Sequence, residues 1–274
     1  MNRLDPRKRA QVVAALVEGN SVRATVRMTG VAKNTIQKLL LDLGAACAEY
    51  MDANLKNLPC KRVQCDEIWS FIAAKAKNVT AELREKNAHA GDVWTWVAMD
   101  ADTKLICSFA VGGRDASVAH EFISDLASRL KYRVQLTTDG HKPYLQAVED
   151  AFGADIDYAM LVKLYGNTPE ERRYSPPQCI GAIPQTITGD PNPKHISTSY
   201  IERQNLTMRM QIRRFTRLTN AFSKKIEHHM ASIALHYMHY NFCRVHQTLR
   251  VTPAMESRVA AHVWSFDELI ALLD

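Results

Sequence analysis

A mixed α/β domain behind a small all-helical unit is the fold class the sequence predicts, on three observations. The first 45 residues carry apolar side chains at helical spacing, broken by two glycine turns. At residue 62 the pattern changes to alternation, the period of a strand with one buried face. Beyond it, the stretches run in the order three strands, helix, strand, helix, strand, helix. A chain of 274 residues is long enough to bury a full core, as one medium domain and one small one.

In the helical unit, residues 1–45, Asp5 and Pro6 are an N-cap and a first helical residue, and Val12, Val13, Leu16 and Val17 form one apolar face before Gly19. Ser21 caps a second helix that runs to Thr29. Gly30 and Val31 make a turn into a third helix over 33–43, whose apolar face is Ile36, Leu39, Leu40 and Leu43. Lys33, Asn34, Gln37 and Lys38 are left on the open face. This is the helix-turn-helix pattern, in which the last helix enters a DNA major groove. A three-helix cap with a wet face is the bland alternative. Residues 46–59 read as a helical linker ending at Pro59.

The larger domain spans residues 60–245. Its first strand, 62–73, points Cys65, Glu67, Trp69 and Phe71 one way and Gln64, Asp66, Ile68, Ser70 and Ile72 the other. A polar excursion over 75–90, partly helical, leads to a hairpin of strands 92–100 and 105–111 across a turn at 101–104. Asp115 caps a helix with Ala119, Phe122, Ile123, Leu126 and Leu130 at helical spacing. A fourth strand, 134–138, runs straight into Asp139 and Gly140. Pro143 opens a helix ending before Gly153, and 156–164 is a fifth strand. A three-stranded meander followed by crossover units gives a five-stranded mixed sheet with helices on both faces, the ribonuclease-H-like plan. Residues 165–197, rich in Pro and Gly, show no periodicity and read as an insertion. A helix starting near Thr198, a long amphipathic helix over 221–240 and a tail, 246–274, with a short helix near its end complete the chain.

Charge is distributed unevenly. The net charge is +6, yet residues 1–45 hold eight basic and three acidic side chains, and 203–226 hold five Arg, two Lys and no acid. A solvated helix face mixes both signs, so the one-sign strip of Arg203, Arg209, Arg213, Arg214, Arg217, Lys224 and Lys225 suits a polyanion, and two basic segments suit two contacts with a phosphate backbone. No apolar run nears the length of a membrane span, and the expected location is cytoplasmic. The six cysteines have no C-x-x-C spacing, which argues against a disulfide framework or a zinc knuckle.

Three acids stand where a sheet can gather them: Asp66 within the first strand, Asp139 at the end of the fourth, and Glu202 at the head of the basic helix. The first and fourth strands are neighbours in this plan. Clustered carboxylates repel unless cations neutralise them, and hard oxygen ligands select Mg²⁺ or Mn²⁺. Two such ions, about 3.5 to 4 Å apart, would clamp the attacking and leaving oxygens of a phosphoryl displacement. Glu67 competes with Asp66 for the rim, and Glu170 or Glu171 with Glu202. His195 lies close upstream of Glu202. His228, His229, His236 and His239 have helical metal spacing but no carboxylate or thiolate partner.

Four stretches, in order, carry a resemblance: Val63-Gln-Cys-Asp-Glu-Ile-Trp-Ser-Phe71, Thr137-Thr-Asp-Gly-His-Lys-Pro-Tyr144, Ser199-Tyr-Ile-Glu-Arg-Gln-Asn-Leu206 and Tyr240-Asn-Phe-Cys-Arg-Val-His-Gln-Thr-Leu-Arg-Val-Thr-Pro-Ala254. Together they resemble the DDE transposases of bacterial insertion sequences, most closely the type-one insertion-sequence group. The resemblance implies a triad of Asp66, Asp139 and Glu202, a divalent metal, and cutting and joining of double-stranded DNA at transposon ends and targets. Processing two ends together implies a homodimer or higher homo-oligomer. The 62 residues between Asp139 and Glu202 exceed the spacing common in the wider superfamily, as an insertion at 165–197 would explain. A nuclease or resolvase without strand transfer, and an inert DNA-binding regulator, are the rival readings.

Overall fold

A computed structural model describes residues 4–166, 178–216 and 219–274. Its amino-terminal helices follow their local signals. α1 (Pro6–Val17) starts on proline and buries Val12, Val13 and Val17. α2 (Val22–Thr29) is capped by Ser21, whose Oγ accepts the Ala24 N–H at 3.1 Å, and it ends at Gly30 with φ 70°. α3 (Lys33–Asn54) does not stop near Leu43. Leu43, Cys47 and Met51 continue one buried stripe at i, i+4, so the helix runs without a break into the stretch expected to be a linker.

The sheet has six strands, not the five expected, in the order β3-β2-β1-β4-β5-β6. β1 (Arg62–Ile72), β2 (Gly91–Asp100) and β3 (Ile106–Gly112) form the antiparallel meander, with the short α4 (Ala81–Lys86) in the polar excursion before β2. α5 (Ala116–Arg129) leads to β4 (Gln135–Asp139), which lies parallel to β1, and α6 (Pro143–Phe152) leads to β5 (Asp157–Gly166), parallel to β4. β6 (Gln178–Thr188) returns antiparallel along β5, inside the stretch that reads as an irregular insertion. It is an edge strand, which is where a proline such as Pro184 is tolerated in a sheet. The arrangement is consistent with a ribonuclease-H-like fold.

α7 (Ser199–Gln211) packs on β1 and β2. α8 (Ile226–Met238) starts five residues later than its apolar pattern suggests and lies along α3. The short α9 (Pro253–Glu256) and α10 (Phe266–Ala271) close the chain, α10 against α1. Buried apolar side chains form a connected cluster from Val12 in α1 to Ile270 in α10, so the amino-terminal helices share the core of the sheet domain. Among the described residues no helix is long and apolar enough to cross a membrane.

The α3–α8 crossing depends on one small residue. A Cβ built on Gly44 would lie 2.5 Å from both Cα and Cβ of Ala231, with backbone rather than a flexible side chain in the way. Gly44→Ala gains about 1 kcal/mol of helix propensity. Forcing the two helices apart costs more, roughly 1–3 kcal/mol. Urea unfolding should therefore show Gly44→Ala less stable than the parent chain; a stabilised variant would mean that the helices do not meet this closely.

Candidate metal centre and its basic surroundings

β1 and β4 pair through Gln64 and Thr137 and then part. Two residues further along each strand, in the same register, stand Asp66 and Asp139. Both carboxylates therefore sit at the fork between the antiparallel and parallel halves of the sheet, the kind of switch point where α/β sheets place their ligands. Glu67 joins them: carboxylate oxygens of Asp66, Glu67 and Asp139 all lie within 4.8 Å of one another.

Each acid is held by named partners. Asp139 Oδ1 accepts the His141 backbone N–H at 3.0 Å, a turn made possible where the strand runs into Asp-Gly. Its Oδ2 accepts from Arg114 Nη2 at 3.3 Å, and Arg114 Nε donates to Glu67 Oε2 at 3.1 Å, so one guanidinium bridges the two acids. Arg114 is positioned by the end of β3: Trp96 of β2, fully buried, donates its indole N–H to the Gly113 carbonyl at 3.0 Å. Asp66 Oδ2 accepts from Asn205 Nδ2 of α7 at 2.9 Å. The Gln64 side-chain oxygen accepts the Tyr200 and Ile201 N–H groups at 3.0 and 3.2 Å, which fixes the first turn of α7 to β1.

Glu202 stands outside the set of three. It accepts from Thr198 Oγ1, and its Oε1 pairs with Lys163 Nζ of β5 at 2.7 Å. It remains in electrostatic reach of Asp66, as does Lys163. Asn205, one helical turn beyond Glu202, makes the direct contact to Asp66.

The electrostatics favour a cation. Burial, and then Asp139, push the Asp66 carboxyl up to about 6. Burial, and again Asp139, push Glu67 up to about 8. The Glu67 side chain is 1% exposed, with the buried Tyr144 hydroxyl beside it. Among the described residues four acids gather near two cations, Arg114 and Lys163, so full ionisation of this set leaves two negative charges uncompensated. An all-oxygen donor set with that deficit fits a hard divalent ion.

The basic residues expected to meet DNA are unequally placed. Lys33, Asn34 and Lys38 are exposed on the first turns of α3, with Lys38 paired to Asp42, and Gln37 is half-buried. Arg203, Arg213, Lys224 and Lys225 are exposed, and Arg209 is half-buried. Arg214 turns inward: its Nη1 donates to Ser223 Oγ at 3.3 Å, and burial lowers it to about 10. Arg217 lies outside the described residues, as do Glu170 and Glu171.

The histidines have other neighbours. His195 Nδ1 is 2.7 Å from Arg62 Nη1, and Arg62 also pairs with Asp102, which ties the loop histidine to the start of β1. His229 is wedged between Ser70 and Ser223 and stacked on Phe215, and burial lowers it to about 3. All six cysteines are free.

Sequence reasoning missed Gln64, Arg114, Lys163 and Asn205. Gln64 and Asn205 lie inside two of the four motif stretches, and Asn205 follows Glu202 by three residues, a same-face spacing on a helix. Lys163 is the one basic residue in the fifth strand. Arg114 carries no local signal.

No family model and no curated protein match the chain. Among solved structures it is similar to a piggyBac transposase, in a synaptic complex with hairpin DNA determined by cryo-electron microscopy. The TM-score is 0.42 at 10% identity, over 99% of this chain and 70% of that one. A likeness this distant decides nothing about individual residues.

A carboxyl whose folded pKa lies above its unfolded value binds its proton first in the folded state, so stability falls as pH rises between the two values. For Glu67 that window runs from 4.5 to about 8. With chelator present, Glu67→Gln should gain stability relative to the parent chain between about pH 5 and pH 8, by at least about 1 kcal/mol. A flat difference in thermal or urea unfolding across that range would place Glu67 in water.

Proposed function

We propose that this chain is a DNA transposase that cleaves and joins strands at transposon ends. The reading is carried by the convergence of Asp66, Glu67 and Asp139 at the β1–β4 fork, with the Glu202-bearing helix tied there by Gln64 and Asn205. Asp66, Asp139 and Glu202 are the residues assigned to hold Mg²⁺ or Mn²⁺, two ions in the full complex. When bound, the ions would lower the pKa of an attacking water or 3′-hydroxyl and stabilise the leaving oxygen.

The remaining work falls to side chains of this chain. Lys163 pairs with Glu202 and so neutralises and orients that carboxylate beside Asp66. Arg114 keeps Asp139 oriented through its bridge to Glu67, which makes Glu67 a positioning residue. The exposed Arg203, Arg213, Lys224 and Lys225, continuing the strip that includes Arg209, Arg214 and Arg217, supply charge for the DNA backbone. Lys33, Asn34, Gln37 and Lys38 at the start of α3 are assigned to end recognition by the helix-turn-helix. Two ends processed together require at least a dimer.

Purified Asp139→Asn protein should bind end DNA as the parent does yet lose Mg²⁺-dependent cleavage and joining by about 10³-fold or more, several kcal/mol of lost charge stabilisation. Glu202→Gln should be as damaging. Full cleavage by Glu202→Gln would move the third ligand to Glu67. Cleavage without insertion of a 3′-hydroxyl end into a second duplex would leave a nuclease or resolvase.

A further inference from the structure

The two basic segments, expected to meet DNA at separate places, face one cleft. It has a volume of about 730 Å³ and lies between the α1–α2 turn, the start of α3, the end of α7, residues 219–225 and α8. Gly19 brings the two sides together: a Cβ there would lie 3.1 Å from the Met210 carbonyl oxygen. Arg23 and Lys33 line it from the amino-terminal helices, and Arg213, Arg214, Lys224 and Lys225 from the late strip; no described lining residue is acidic.

The rest of the lining is of a different character. Leu16, Leu40, Leu235 and Phe222 contribute apolar surface, and His236 is also in the lining. His236 is 2% exposed, and neither of its ring nitrogens has a hydrogen-bond partner among the described residues. Burial holds that imidazole neutral by lowering it to about 3, so it presents one donor and one acceptor. Gln211 Oε1, also in the lining, is a second buried acceptor, without a partner among the described residues. Orphaned buried groups of this kind cost stability unless a ligand satisfies them.

A space of this size matches pockets of about 300–1,000 Å³ that hold a small ligand, and is too small for a duplex turn. A lining that combines cations, apolar and aromatic side chains and unpaired polar groups suits a single strand: phosphates on the cations, an unstacked base on the apolar and aromatic part. We propose that this cleft binds a single strand of DNA, with at least one base splayed from its neighbours and met by Phe222, His236 and Gln211. The proposal rests on the transposase reading in taking DNA as the partner. It differs from end recognition by α3 in that both basic segments grip the same strand.

The test is fluorescence anisotropy with full-length protein, a labelled eight-nucleotide single-stranded DNA and excess chelator, titrated at several salt concentrations. The single strand should bind more tightly than a duplex of the same sequence. Lys225→Ala should reduce the slope of log K against log salt by about 0.7, one phosphate contact on a single strand. Phe222→Ala should weaken binding roughly tenfold with the slope unchanged, the signature of a lost stacking contact. Tighter binding of the duplex, tighter binding of the matching RNA strand, or single-strand binding unaffected by both cleft substitutions would overturn the proposal. The assay contains no divalent ion and reads no cleavage, so such a result would leave the metal-site reading standing, and failure of cleavage would leave this one standing.

Discussion

Everything in the candidate site follows from holding like charges together at a place where two strands part. β1 and β4 bring Asp66 and Asp139 side by side because parallel pairing keeps their register up to Gln64 and Thr137. Glu67 then adds a third carboxylate within 4.8 Å. Proximity of this kind is unfavourable in a folded chain, and the surroundings are arranged to offset it. Arg114 spans Glu67 and Asp139, Lys163 holds Glu202, and Asn205 and a backbone amide donate to the aspartates.

The offset is incomplete. Among the described residues two cations stand against four acids, and burial, with Asp139 adding to it, raises the Asp66 and Glu67 carboxyls toward holding protons. A cluster that holds protons in this way will give them up to a divalent ion. The same economy places α7: its first turn is fixed to β1 by Gln64, and so Glu202 enters near the fork without reaching it. Lys163 thus neutralises Glu202 beside the fork.

Much of the fold could be read from residue order because the strongest signals are local. Alternation marked β1, and the run of β4 into Asp-Gly marked the site of Asp139. β6 escaped notice because Gly181 and Pro184 break the strand pattern, and an edge strand with one neighbour tolerates both. α3 passes its expected end at Leu43 because Gly44 there packs against Ala231 instead of ending the helix, and the stretch read as a helical linker continues the same apolar stripe to Asn54. Of the site, the aspartates were legible from topology. Arg114, Lys163 and Asn205 were not, because each meets its acid across a long sequence separation that no local pattern encodes. The shared cleft was equally hidden, since charge counts along a chain do not say which segments face one another.

Mn²⁺ soaked into crystals of the protein, located by its anomalous scattering, tests the account most directly. A peak within about 2.3 Å of oxygens from both Asp66 and Asp139 is the expected result. No peak at the fork, with Asp66 and Asp139 turned to different neighbours and Mn²⁺ bound elsewhere or not at all, would contradict it.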